Sequence, residues 1–150
     1  MEGISESGQD GVITNERELA ASPRAIFAAF EHTDKLAQWW GPAGFSNTFD
    51  LCEFEPGGRW IYTMHGPDSR GYPNESVFRE IEPDTKIVID HVALPHYTLT
   101  ITLTPDGDGT RLRWRQEFKN EAFVASMRSF LENANEENLD KLEALLASQG

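Results

Sequence analysis

Two stretches near the C-terminus constrain the fold of this chain more than any other feature. In HYTLTITLT (96–104), Tyr97, Leu99, Ile101 and Leu103 alternate with Thr98, Thr100, Thr102 and Thr104. In TRLRWRQEF (110–118), Leu112, Trp114, Gln116 and Phe118 alternate with Arg111, Arg113, Arg115 and Glu117. Successive side chains of a strand point to opposite faces, so each stretch has one apolar and one polar face. An antiparallel sheet wetted on one side carries this pattern. The intervening PDGDG reads as a hairpin turn. A calcium loop would need a ligand where Thr110 stands and a glycine where Arg111 stands.

The dry face needs a cover. Residues 120–147 supply a long helix with Phe123, Met127, Leu131, Ala134, Leu139, Leu142, Leu145 and Leu146 on a broad apolar stripe. Upstream, 12–19 alternates as a first strand. Ser22-Pro23 opens a helix with Ile26, Phe27 and Phe30 on its apolar face, and a second short helix runs from Thr33 or Asp34 to Trp40. Further strands are expected at 45–54, 58–65, 74–82 and 86–93, divided by EPGG, HGPDSRGYP, EPDT and ALP. The order predicts an α+β fold. A curved antiparallel sheet of about seven strands wraps one long C-terminal helix, with two short helices between strands one and two. Where a curved sheet and a straight helix diverge, a wedge-shaped gap opens, and the short helices can plug one end. In LAQWWGPAGF (36–45), Trp39 and Trp40 are neighbours about 100° apart on a helix, so one can pack on the sheet while the other faces the gap. Gly41 and Pro42 stop that helix.

Composition narrows the function classes. A formal net charge of −12 argues against binding nucleic acid or an anionic membrane surface. Much of the acid (Glu132, Glu136, Glu137, Asp140, Glu143) falls on the last helix and reads as a solvated face. No stretch reaches the ~20 apolar residues of a membrane helix, so no membrane insertion is expected. The start lacks a secretory signal, and the lone Cys52 suits a reducing compartment; both predict a cytoplasmic protein. Residues 1–11 read as a loose polar tail before a single domain, 12–150, that is a monomer or homodimer. His32, His65, His91 and His96 lack metal-ligand spacing, so no metal and no cofactor are expected.

Three segments carry a resemblance: TDKLAQWWGPAGF (33–45), FEPGGRWIYTMHGPDSRGYPNESVFREIEPD (54–84) and ENLDKLEALLA (137–147). They resemble the standalone proteins similar to activators of the heat-shock protein 90 ATPase, within the START/birch-pollen-allergen helix-grip superfamily. The likeness runs from about residue 12 to 147. It implies a hydrophobic cavity between sheet and helix, and no particular reaction. The family often places a Gly-Trp pair in the long helix; here Ala134 and Asn135 stand at those positions, so an amide replaces a ring.

Alternation puts Trp60, Tyr62 and Met64 on one strand face. With Trp40, Phe78, Tyr97, Trp114 and Phe118 they form an expected aromatic pocket, closed by Met127, Leu131 and Asn135 from the long helix. His91, in register with Ile87 and Ile89, is expected to face inward. The first functional expectation is burial of a small apolar or amphipathic ligand, with no catalytic residues. The alternative is an interaction domain of the co-chaperone type with a chaperone partner. The third is an enzyme of the cyclase or aromatase type, which would need an inward acid–base pair.

Overall fold

The computed structural model describes residues 11–149; the expected loose tail lies outside them apart from Gly11. Its elements run β1 (Val12–Leu19), α1 (Pro23–Glu31), α2 (Thr33–Trp39), β2 (Ser46–Cys52), β3 (Arg59–His65), β4 (Gly71–Glu82), β5 (Lys86–His91), β6 (Tyr97–Asp106), β7 (Gly109–Phe118) and α3 (Glu121–Gln149). The strands form one seven-stranded sheet in the order β1-β7-β6-β5-β4-β3-β2, antiparallel throughout. The last six make a meander, and β1 closes beside β7. The crossover from β1 to β2 spans the sheet from edge to edge and carries α1 and α2. This is the α+β helix-grip architecture that the alternation and element order predict.

The register explains the burial. Leu99 pairs with Gln116, Ile101 with Trp114 and Leu103 with Leu112, all on the face turned to α3. Thr98, Thr100 and Thr102 lie half-exposed on the other face, where Arg111, Arg113 and Arg115 pair with Glu16, Glu18 and Glu117. Bulges between Phe49 and Leu51 and between Phe78 and Glu80 add twist at the β2–β4 end. Strand β4 begins at Gly71, inside the stretch read as a turn. Pro73 is tolerated because β5 pairs with β4 only from Ser76 onward, so one side of β4 is an open edge there.

The end of α2 is built around its two tryptophans. Trp39 is 1% exposed and donates from Nε1 to Ala29 O (3.0 Å), tying α2 to α1. Trp40, the residue after the helix, turns its ring between Trp114 (5.6 Å, stacked) and Trp60 (5.0 Å, edge-on). Gly41 follows at φ +97, and a Cβ there would sit 2.8 Å from Met64 Cε. The positive φ is what calls for glycine, since Met64 Cε ends a flexible side chain that can give way. The carbonyls left over at a helix C-terminus need partners. Asn47 Nδ2 donates to Ala37 O and Trp40 O, Asn138 Nδ2 to Trp39 O (2.7 Å), and Lys141 Nζ to Phe45 O (3.0 Å).

Helix α3 packs against β1, α1 and α2. Its apolar stripe is unevenly used. Leu139 and Leu142 are fully buried, whereas Phe123, Met127 and Leu131 are half-buried and Phe130 is 63% exposed. The acidic side of α3 is partly neutralised from β1: Arg17 pairs with Glu136, Asp140 and Glu143. Replacing Asn138 by Ala removes a buried donor and leaves Trp39 O unsatisfied. Asn138→Ala is expected to lose about 1–3 kcal/mol in chemical denaturation; a loss within about 0.5 kcal/mol would mean that the contact holds nothing.

Candidate ligand-binding site

The wedge between sheet and α3 is packed at both ends and unfilled between them. At the α1 end, Trp60 stacks on Phe78 (5.5 Å) and on Tyr62 (4.4 Å), and Phe54 bridges Phe78 to Phe27. Under the start of α3, Ile13, Phe118 and Val124 form a second cluster. Between the two, past Tyr62, a partly open cavity of about 200 Å³ remains. Trp40, Tyr62, Met64, His91, Tyr97, Trp114 and Phe118 line it from the sheet side. Leu131 and Asn135 line it from α3.

Three residues expected in the lining are elsewhere. Trp60 and Phe78 share the inner strand face, but each is 0% exposed and buried in the packed α1 end of the wedge. Met127 lies one turn before Leu131 and is half-buried outside the lining. The lining also contains residues that the pattern reading missed: Gly41, Pro42, Asn74, Pro95, Gln116, Ala134 and Asn138. Gln116 had a usable signal, since it is a polar side chain between Trp114 and Phe118 on the apolar face of β7. Asn138 had a weaker one, three residues after Asn135 on the same helix face.

The polar groups of the wall are amides, phenols and one imidazole. Asn135 Nδ2 donates to Gln116 Oε1 (3.0 Å) and Asn15 Oδ1 (3.1 Å), and Asn15 Nδ2 donates to Glu136 Oε2 (2.7 Å). Burial pushes the Tyr62 phenol up to about 12, against the pull of Trp40 and Ser76 beside it. Burial also raises Tyr97, next to Tyr62 and Gln116. Both phenols therefore stay protonated at neutral pH. Among the described residues, no three His, Cys, Asp or Glu side chains gather as a metal site.

His91 is 4% exposed and stacks on Tyr97 (4.5 Å, 6° between rings). Its Nδ1 faces Pro95 O (2.8 Å), and its Nε2 faces Asn74 Oδ1 (2.6 Å). Asn74 Nδ2 is committed to Tyr72 O (2.9 Å), so both partners of the ring present oxygens. Only the imidazolium can donate to both. Burial opposes that charge, outweighs the carbonyl partners and holds the pKa below its ordinary value. The partner at Nε2 is an amide rather than a carboxylate. The nearest acid in sequence, Asp90, accepts from Thr98 Oγ1 (2.8 Å) and lies near Arg79.

With this geometry in view, the sequence comparison is decisive. The profile of the family described as "Activator of Hsp90 ATPase homolog 1-like protein" matches residues 20–147. The chain belongs to this family. Solved structures agree on the fold. A protein from Arthrobacter aurescens is 25% identical over 93% of this chain and 87% of its own, with a TM-score of 0.85. One from Nitrosomonas europaea is 19% identical, covering 94% and 97%, with a TM-score of 0.84. The AHSA1 protein of Silicibacter pomeroyi is 23% identical, covering 93% and 99%, with a TM-score of 0.76. No curated protein matches the chain.

The His91 shift has a sign that can be checked in this family member. A depressed pKa means that the unfolded chain takes up the proton at a higher pH than the folded one. The stability tied to His91 is therefore whole above about pH 6.5 and falls as pH drops toward the folded pKa. Between pH 7.5 and 5.5 the protein should lose more stability than His91→Gln does. Denaturation at the two pH values measures this, and a smaller loss than the variant's would show that the two acceptors win over burial.

Proposed function

We propose that the protein binds a small apolar or amphipathic molecule in the cavity between the sheet and α3. The observation that carries this reading is the unfilled space between the two packed clusters, past Tyr62. There Trp40, Trp114, Tyr97 and Phe118 surround about 200 Å³ that no side chain fills. Concave sites walled by aromatic rings with a few placed polar groups are what small-molecule sites are built from. Chemistry on the ligand is not part of this reading, because the wall offers protonated phenols, amides and an imidazole without a carboxylate partner. The reducing cytoplasm suits the half-buried Cys52 thiol and is the compartment we assign. Among the described residues no helix is long and apolar enough to cross a membrane.

The family description supports a second reading, an interaction domain for a chaperone ATPase. Phe130 and Leu94, 63% and 80% exposed, are the apolar side chains such a surface would use. A purified heat-shock protein 90 whose ATPase rate rises on adding this protein, and does not rise with Phe130→Ser, would favour it.

For the binding reading, a small ring compound at ten times its dissociation constant should raise Tm by about 3–6 °C, because it binds only the folded state. Ala134, half-buried in the helix wall, is where a larger side chain fills the cavity without entering the sheet. Ala134→Trp should keep a cooperative unfolding transition and lose the ligand-induced rise. If no compound in a broad apolar panel shifts Tm, the cavity does not bind.

A further inference from the structure

The wall of the cavity specifies more than apolarity. Among the described residues, no Asp, Glu, Lys or Arg lines it. Its titratable groups are Tyr62, Tyr97 and His91, and burial disfavours the charged form of each. The ammonium of Lys141 lies behind the wall, where it is taken up by the carbonyls of Phe45 (3.0 Å), Pro42 (3.4 Å) and Trp40 (3.5 Å). A carboxylate or ammonium entering this space would find no counter-charge, and burying an unpaired ion is strongly unfavourable.

Hydrogen-bonding capacity is present all the same. Trp114 is 2% exposed in the cavity wall, and its Nε1–H has no partner among the described residues. The Tyr62 and Tyr97 phenols lie close enough to influence each other's ionisation, and Gln116 is beside Tyr97. These groups can donate to a neutral oxygen without any charge being buried.

Size sets the third limit. An engineered apolar cavity of about 150 Å³ is known to hold benzene. The present cavity of about 200 Å³ therefore fits one ring with a small substituent. It lies below the ~300 Å³ at which sites for drug-sized ligands begin.

Resting on the binding function proposed above, we infer that the cavity selects an uncharged, single-ring molecule carrying a hydroxyl or carbonyl oxygen. The ring lies among Trp40, Trp114 and Phe118, and the oxygen accepts from Tyr62, Tyr97 or Trp114. Excluding anions of the same shape is the specific consequence.

Calorimetric titration at pH 7.5 with four probes of similar size tests this: toluene, benzyl alcohol, benzamide and benzoate. Benzamide should bind at least 50-fold (roughly) more tightly than its anionic isostere benzoate, given the lack of a counter-charge. Benzyl alcohol should bind about 5-fold or more tightly than toluene, the yield of one net hydrogen bond. That ratio should fall toward one in the double variant Tyr62→Phe, Tyr97→Phe, which removes two hydroxyls and leaves the rings. If the double variant fails to fold, Tyr97→Phe alone should still lower the ratio. Equal binding of benzoate and benzamide would overturn the exclusion of charge and leave the binding function standing. Toluene binding as tightly as benzyl alcohol would overturn the role of the oxygen. Binding of long-chain apolar probes but of none of the four would overturn the size limit alone. If nothing binds, the binding function falls as well.

Discussion

The site depends on how the chain leaves α2. A helix of seven residues ends there with carbonyls that its own backbone cannot satisfy. The donors come from two other elements. Asn47 of β2 reaches back to Ala37 O and Trp40 O, and Asn138 of α3 reaches across to Trp39 O, while Lys141 of α3 holds Phe45 O in the loop that follows. These contacts fix the plug against the sheet edge and the long helix together. Because the plug is fixed, Trp40 is held between Trp60 and Trp114 and forms the inner wall of the cavity. A ring free to swing would collapse into the space.

The second constraint is the polarity of the buried wall. Each buried amide must find a partner or cost about 1–3 kcal/mol. Asn135 meets this through Gln116 and Asn15, and Asn15 passes the chain of contacts to Glu136, which Arg17 pairs at the surface. Asn135 is therefore a structural cross-link between α3, β1 and β7.

Much of the fold is legible in the sequence because strand alternation and turn residues act locally. Leu99, Ile101, Leu112 and Trp114 announce the inner face by periodicity alone. The start of β4 was not legible, since Pro73 breaks a strand unless one side is an open edge, and that is a property of the sheet. The site was legible in part for the same reason. Tyr62, Tyr97 and Trp114 follow from alternation, but so do Trp60 and Phe78, which sit deeper under α1. Periodicity gives the face and says nothing of distance along the wedge. Gly41, Pro42 and Pro95 reach the cavity through turns, which carry no periodic signal. Met127 shares a helix stripe with Leu131, yet one turn is enough to take it out of the cavity lining.

The central claim is that rigidly anchored rings wall a real, partly open cavity. A xenon-pressurised crystal tests it most directly, because xenon enters apolar cavities that already exist. The account predicts a xenon peak among Trp40, Trp114 and Phe118, with the Trp40 ring unmoved and Asn138 Nδ2 still on Trp39 O. A Trp40 ring folded into the space, with no xenon between the sheet and α3, would contradict it.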